Sequence, residues 1–195
     1  MEENPLRTFI AVELPGSVKL ELAKLIDALK KPRFGFVRWV NPQGIHLTLK
    51  FLGNVLPAKI DGISKVIESA AADGHRFSLD MSGLGFFPNS RRPRVFWIGM
   101  AGDMNALQKL QADIDSGTEK LGFPGEKRPF SPHITLARIN EGSLPSDLAD
   151  FVKDTEKVRM ENKLHIEIDS VCLIRSELLR TGARYTKLFE AGLPG

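Results

Sequence analysis

One short pattern is written twice in this chain. "HLTLKFLG" at 46–53 and "HITLARIN" at 133–140 each place a histidine, an apolar residue, a threonine and a leucine, with the two histidines 87 positions apart. Sliding the chain by that offset aligns far more than the motif. Arg7 falls on Arg94, Phe9 on Phe96, Leu20 on Leu107, Gly35-Phe36 on Gly122-Phe123 and Pro42 on Pro129, with no gap anywhere. Further on, "FSLDM" (77–81) meets "LHIEI" (164–168) with the alternation in phase. Two halves that carry the same signals in one register point to a duplicated fold.

Each half predicts the same run of elements. An apolar strand at 7–14 or 94–100 is followed by a helix at 17–31 or 104–121. Its apolar residues (Leu22, Leu25, Ile26, Leu29; Leu107, Leu110, Ile114) recur at three and four. The motif strand follows a proline-bearing loop. A second helix lies near 57–72 and 145–157, with Pro57 and Pro145 suited to first turns. A final strand at 76–87 or 163–175 closes each half, and a further strand at 183–190 lies outside the repeat.

Alternating strands and helices alone would suggest a parallel sheet. The period-two alternation of Leu164, Ile166 and Ile168 against His165, Glu167 and Asp169 instead marks a sheet with one open face. The expected architecture is α+β: a single two-lobed domain over 1–195, with repeat one about 7–90 and repeat two about 94–177. Two mainly antiparallel sheets would carry helices on their outer faces and turn their open faces toward a central cleft.

A chain of 195 residues, 42% hydrophobic and 26% charged, has the makings of a sizeable core and not of a disordered tail. No apolar run reaches the roughly 18 residues of a membrane span. The first residues, "MEENPLRTFIAVELP", lack the basic and long apolar regions of a signal peptide, so the cytoplasm is the expected location. The single cysteine, Cys172, rules out an intramolecular disulfide and a cysteine-based zinc site, and reads as a buried structural thiol. A net charge of +3 permits a polyanionic partner without demanding one. The basic clusters at 30–38, 90–94 and 126–133 each read as solvated loops, although the last runs directly into His133.

Within a strand, successive side chains point to opposite faces. His46 and Thr48 therefore share one face, roughly 6–7 Å apart, with Ile45, Leu47 and Leu49 on the other. His133 and Thr135 stand likewise against Ile134 and Leu136. If the lobes are related by a pseudo-twofold, two imidazoles flanked by two hydroxyls meet across the cleft. Histidine titrates near neutral pH, which suits one ring as base and the other as acid. Threonine hydroxyls can hydrogen-bond the non-bridging oxygens of a phosphate. Phosphodiester cleavage needs this set of groups, and it needs no metal once they are supplied. A zinc site is the competing reading. It requires a third ligand, and neither motif has an acid within three residues on its strand.

Paired His-x-Thr-apolar motifs about ninety residues apart resemble those of the 2H phosphoesterase superfamily. The flanks "RTFIAVELP", "HLTLKFLG" and "RPFSPHITLAR" are similar to its RNA 2′,3′-cyclic phosphodiesterase branch, the 2′-5′ RNA ligase-like proteins. The resemblance runs from Arg7 to about Leu188. It implies metal-independent hydrolysis of a terminal ribose 2′,3′-cyclic phosphate to the 2′-phosphate, with no cofactor. It makes His46 the proton donor to the leaving 3′-oxygen, His133 the base that activates water, and Thr48 and Thr135 the phosphate holders. The residues alone do not say which histidine is acid and which is base.

Arg138 matches a position where the family carries an arginine at the substrate. Strict alternation puts it on the Leu136 side, so reaching the cleft requires a bulge near Ala137. Phe51, its repeat partner, shares the parity and reads as a core residue. His75 reads as an exposed loop residue, His165 as part of a polar strand face, and Trp39 and Trp97 as core or cleft wall. Arg184 and Tyr185 are set aside.

The expected partner is an RNA bearing a 2′,3′-cyclic phosphate end, tRNA fragments and small cyclic nucleotides included, and the expected state is a monomer. Three other readings stay open. One is a phosphodiesterase of small cyclic nucleotides or ADP-ribose cyclic phosphate. Another is reversible 2′-5′ ligation, for which no ATP-binding Walker loop is present. The third is a non-catalytic module that binds RNA ends.

Overall fold

The computed structural model describes residues 4–158, 164–180 and 182–195. In chain order the elements are β1 (Leu6–Glu13), α1 (Gly16–Leu29), β2 (Val37–Trp39), β3 (His46–Val55), α2 (Ile60–Ala72), β4 (Phe77–Phe87), β5 (Val95–Gly102), α3 (Met104–Glu119), β6 (His133–Ile139), α4 (Pro145–Glu156), β7 (His165–Ile168), β8 (Ser170–Leu179) and β9 (Gly182–Gly192). Among the described residues the strands form two sheets, ordered β3-β1-β8-β9 and β2-β6-β5-β4-β7. Every pairing is antiparallel. The α+β architecture expected from the alternating patterns is the one observed.

The halves are more closely interlocked than the repeat suggests. β4, the last strand of the first half, pairs with β5 of the second, from Leu79↔Gly102 to Phe87↔Val95. β8, from the second half, pairs with β1 of the first, Thr8↔Arg175 to Ala11↔Cys172. Each half therefore lends its final strand to the other's sheet.

The single strand expected at 163–175 is in fact two, β7 and β8, parted at Asp169; residue 163 lies outside the described residues. β7 stays with β4, while β8 crosses to β1. The Asp169 carbonyl accepts from the Leu193 amide at 2.7 Å instead of continuing a ladder. At the crossing the period-two pattern stops: Asp169 and Ser170 are polar in succession, and Val171, Cys172, Leu173 and Ile174 are all buried.

The helices form where the apolar spacing predicts. α1 buries Val18, Leu22, Ile26 and Leu29, and α3 buries Leu107, Leu110 and Ile114. They close over one continuous core that includes Leu47 and Leu49 of β3 and Ile134 and Leu136 of β6. Burying each such side chain contributes roughly 1.5–3 kcal/mol. Pro145 opens α4, whereas Pro57 opens a 3-10 turn, Pro57–Lys59, just ahead of α2. Asp103 caps α3, its Oδ1 accepting from the Ala106 amide at 3.0 Å, worth about 1 kcal/mol.

Behind the first motif, Lys50 is only 2% exposed. Its ammonium pairs with Asp115 of α3 and donates to the Phe123 carbonyl at 3.4 Å. The motif strand of one half is thereby anchored to a helix of the other.

Candidate active site

Both motifs present the faces expected of them. Leu47, Leu49, Ile134 and Leu136 are buried, while His46, Thr48, His133 and Thr135 are half-buried on the open side. β3 and β6 approach each other where the two sheets meet. β2 lies along β6 and leads within a few residues into β3, and the Val40 amide donates to the Leu136 carbonyl at 3.0 Å. β2 thus links the two motif strands.

The two imidazoles are held by the same device. His46 Nδ1 lies 2.8 Å from the Gly44 carbonyl, and His133 Nδ1 lies 2.7 Å from the Ser131 carbonyl. A carbonyl only accepts, so each Nδ1 carries the hydrogen and donates it. Nε2 is left on both rings as the nitrogen able to take or give a proton. A bond to the carbonyl two residues earlier requires no particular side chain, which is why no sequence signal announced it.

Their surroundings differ. Phe9 stacks on His46 with centroids 4.5 Å apart and planes at 26°. Tyr185 meets the edge of the same imidazole at 5.2 Å and of Phe9 at 5.4 Å. Burial under these rings, assisted by Lys19, pushes the His46 pKa below its ordinary value, against opposing effects from the Gly44 carbonyl and Glu13. His133 meets the edge of Phe87 at 4.8 Å, with the Trp97 ring at 6.3 Å.

Tyr185, set aside in the sequence, is therefore part of this site. It comes from β9, outside the repeat, so no internal comparison could single it out. Its ring also packs over Gly44, where an added Cβ would lie 2.9 Å from Tyr185 Cε2.

Cross-strand register shows how the open face is laid out, because directly opposed residues share a face. On the second sheet, His133 opposes Gly99, Thr135 opposes Trp97, and Arg138 opposes Val95. The ladder skips Leu136, a β-bulge that turns Leu136 and Ala137 both inward and returns Arg138 to the side of His133 and Thr135. Arg138 is exposed on the cleft face, the placement that strict alternation forbade.

A bulge at Leu49 does the same in the first half, where Ala11 opposes Thr48 and Phe9 opposes Phe51. Phe51 is 58% exposed, which corrects its reading as a core residue. The same bulge carries it out of the core and onto the face shared with Phe9. Trp97 does form cleft wall, lying over Gly85, which has no room for a Cβ beneath the indole.

Other candidates take quieter places. Cys172 is fully buried beside Phe9, Ala11 and Ile174, and burial pushes its thiol up to about 12, an inert structural cysteine. His165 pairs with Asp80 at 3.0 Å, and His75 is exposed. Lys187, near the His46 side of the cleft, is held by Glu13 at 2.7 Å and Glu190 at 3.0 Å. Among the described residues, no three His, Cys, Asp or Glu side chains gather as a metal-binding group. None of the helices described is long and apolar enough to cross a membrane.

The LigT-like phosphoesterase family model matches the chain twice, over residues 12–97 and 98–185. A Thermotoga maritima protein named RNA 2′,3′-cyclic phosphodiesterase is 32% identical over 97% of this chain and 97% of its own length. One of the same name from Methanothermobacter thermautotrophicus is 31% identical over 94% and 96%. Among solved structures, TT0787 of Thermus thermophilus superposes with a TM-score of 0.80 at 29% identity, covering 97% of this chain and 98% of that one. The E. coli LigT complex with 3′-AMP gives 0.77 at 27% identity, covering 98% and 99%.

Proposed function

Because this chain belongs to the LigT-like phosphoesterase family, we propose that it hydrolyses the terminal 2′,3′-cyclic phosphate of RNA to the 2′-phosphate, using His46 and His133 as an acid–base pair and no metal. The observation that carries this reading is the matched tethering of the two rings. Each Nδ1 is committed to the carbonyl two residues before it, and each ring shares an open strand face with a threonine. Binding an RNA end without chemistry would need neither.

In the proposed reaction, water attacks phosphorus in line with the bond to the ribose 3′-oxygen. His133 Nε2 takes the proton that the water loses, and His46 Nε2 gives one to the departing 3′-oxygen. The P–O3′ bond breaks, the new P–O bond forms, and the phosphate remains on O2′ with a free 3′-hydroxyl. Exchange of one proton with solvent resets both rings. Thr48 and Thr135 donate to the non-bridging oxygens, and Arg138 is a substrate-binding cation on the same face. Burial works against a protonated His46, and the negative charge of a bound phosphate works for it. Each general acid or base contributes about 10²–10⁴ in rate.

Product analysis on a short RNA with a 2′,3′-cyclic end, in the presence of EDTA, tests the proposal. A 2′-phosphorylated product is expected, with His46→Ala and His133→Ala each slower by orders of magnitude yet still folded. Loss of turnover in chelator would overturn metal independence. Tight binding of RNA ends without turnover by the wild type would favour a binding module.

A further inference from the structure

We propose that Arg38 and Arg138 together form a second anion subsite, which takes the 5′-phosphate of the terminal nucleotide while its cyclic phosphate lies between the histidines. This rests on the reading of the site given above.

Arg38 and Arg138 are direct cross-strand partners in the β2–β6 ladder, and Arg138 also opposes Val95, which opposes Phe87. The four residues make one row across the open face. Phe87 ties that row to the site through its contact with His133. The neighbours of Arg38 along β2, Val37 and Trp39, turn the other way, Val37 into the core and Trp39 against Phe96 and Phe151. Both arginines are exposed beside the row that holds Thr135.

Like charges placed directly opposite each other across a ladder repel, so such a pair calls for an anion. Other basic side chains of the same segment have one within the protein. Lys30 pairs with Asp27 at 2.9 Å, Lys31 with Asp154 at 2.7 Å, and Arg33 with Asp154. Among the described residues, Arg38 and Arg138 have no carboxylate partner. Two neighbouring guanidinium forks suit the two free oxygens of a phosphate better than a single one does.

The pseudo-twofold adds a second argument. The repeat partner of Arg138 is Phe51, which follows the same bulge onto the same kind of face. The four-stranded sheet thus lines its side of the cleft with Phe9, Phe51 and Tyr185, and the five-stranded sheet with two arginines. Lys187, on the four-stranded side, is already held by Glu13 and Glu190. A nucleotide that ends in a cyclic phosphate has the same asymmetry, with the 5′-phosphate on one side of its ribose and the base on another.

Calorimetric binding of adenosine 2′,5′-bisphosphate and adenosine 2′-monophosphate tests the subsite without depending on turnover. At low salt the wild type should bind the bisphosphate about tenfold tighter. Arg38→Gln should bring the two affinities close together, and Arg38→Lys should keep part of the difference. Equal binding by the wild type, or the full preference surviving in Arg38→Gln, would overturn the subsite. Turnover of a cyclic-ended dinucleotide, measured alongside, separates the two readings. If the wild type prefers the bisphosphate but turns nothing over, the hydrolase reading falls and the subsite stands. If the dinucleotide is hydrolysed and the bisphosphate gains nothing, the subsite falls and the hydrolase reading stands.

Discussion

Leu49 and Leu136 occupy the same place in the two halves, each the unpaired extra residue of a bulge just after the motif threonine. The bulge reverses side-chain parity beyond it. Phe51 and Arg138, which alternation assigns to the core, are both delivered to the cleft by this one backbone feature.

Arg138 should therefore matter to substrate. Arg138→Ala should lower kcat/KM for a cyclic-ended RNA by about a hundredfold, consistent with losing charged hydrogen bonds to phosphate. Arg138→Lys should restore only part of it, since an ammonium cannot reproduce the fork. Steady-state kinetics checks this, and an Arg138→Ala enzyme with wild-type kcat/KM would place the side chain away from the substrate.

The cover over His46 should set where the enzyme loses activity in alkali, because the proton donor must be protonated to work. Tyr185→Ala removes a ring from the imidazole edge, so the depressed pKa of His46 should climb back toward 6.5. The alkaline limb of the kcat/KM profile should move up in pH with it. Tyr185→Phe keeps the ring and should leave the limb in place. Gly44→Ala, whose Cβ would press on Tyr185, should behave more like Tyr185→Ala. An alkaline limb indifferent to all three would dissociate it from His46.

The same shift makes stability depend on pH. With its folded pKa below 6.5, His46 binds fewer protons in the native state than in the unfolded chain throughout that interval. Unfolding free energy then rises with pH. Stability from this group is full above about 6.5, falls as the pH drops below it, and levels off beneath the folded pKa. His46→Gln should flatten the fall in Tm between neutral and mildly acidic pH. An unchanged slope would show that other groups govern it.

Lys50→Ala should destabilise the protein by about 3 kcal/mol, from lost packing and an unpaired Asp115. The Asp115 side chain is 24% exposed, so water recovers part of the cost of unpairing it. Lys50→Met, which keeps the bulk, should cost less. Urea denaturation measures both, and a loss under about 1 kcal/mol in Lys50→Ala would remove the pair from the anchoring of β3.

Much of this was legible in the residues themselves. Period-two alternation gave the two motif faces, and the 87-residue offset gave the duplication, because both follow from local side-chain geometry. Three things were not. The exchange of β4 and β8 depends on pairing across the chain, and the break in alternation at Asp169 and Ser170 marks a boundary without saying which sheet the next strand joins. The bulges are backbone events at ordinary leucines, with no glycine to mark them. Tyr185 reaches His46 from a strand with no counterpart in the repeat.

The central claim is that both rings address one phosphorus atom. A crystal structure with adenosine 2′-monophosphate bound tests it most directly. The account predicts His46 Nε2 and His133 Nε2 each within about 2.7–3.2 Å of oxygens of the same phosphate, with Thr48 and Thr135 donating to it. A phosphate bound by only one of the two histidines, or away from both, would contradict it.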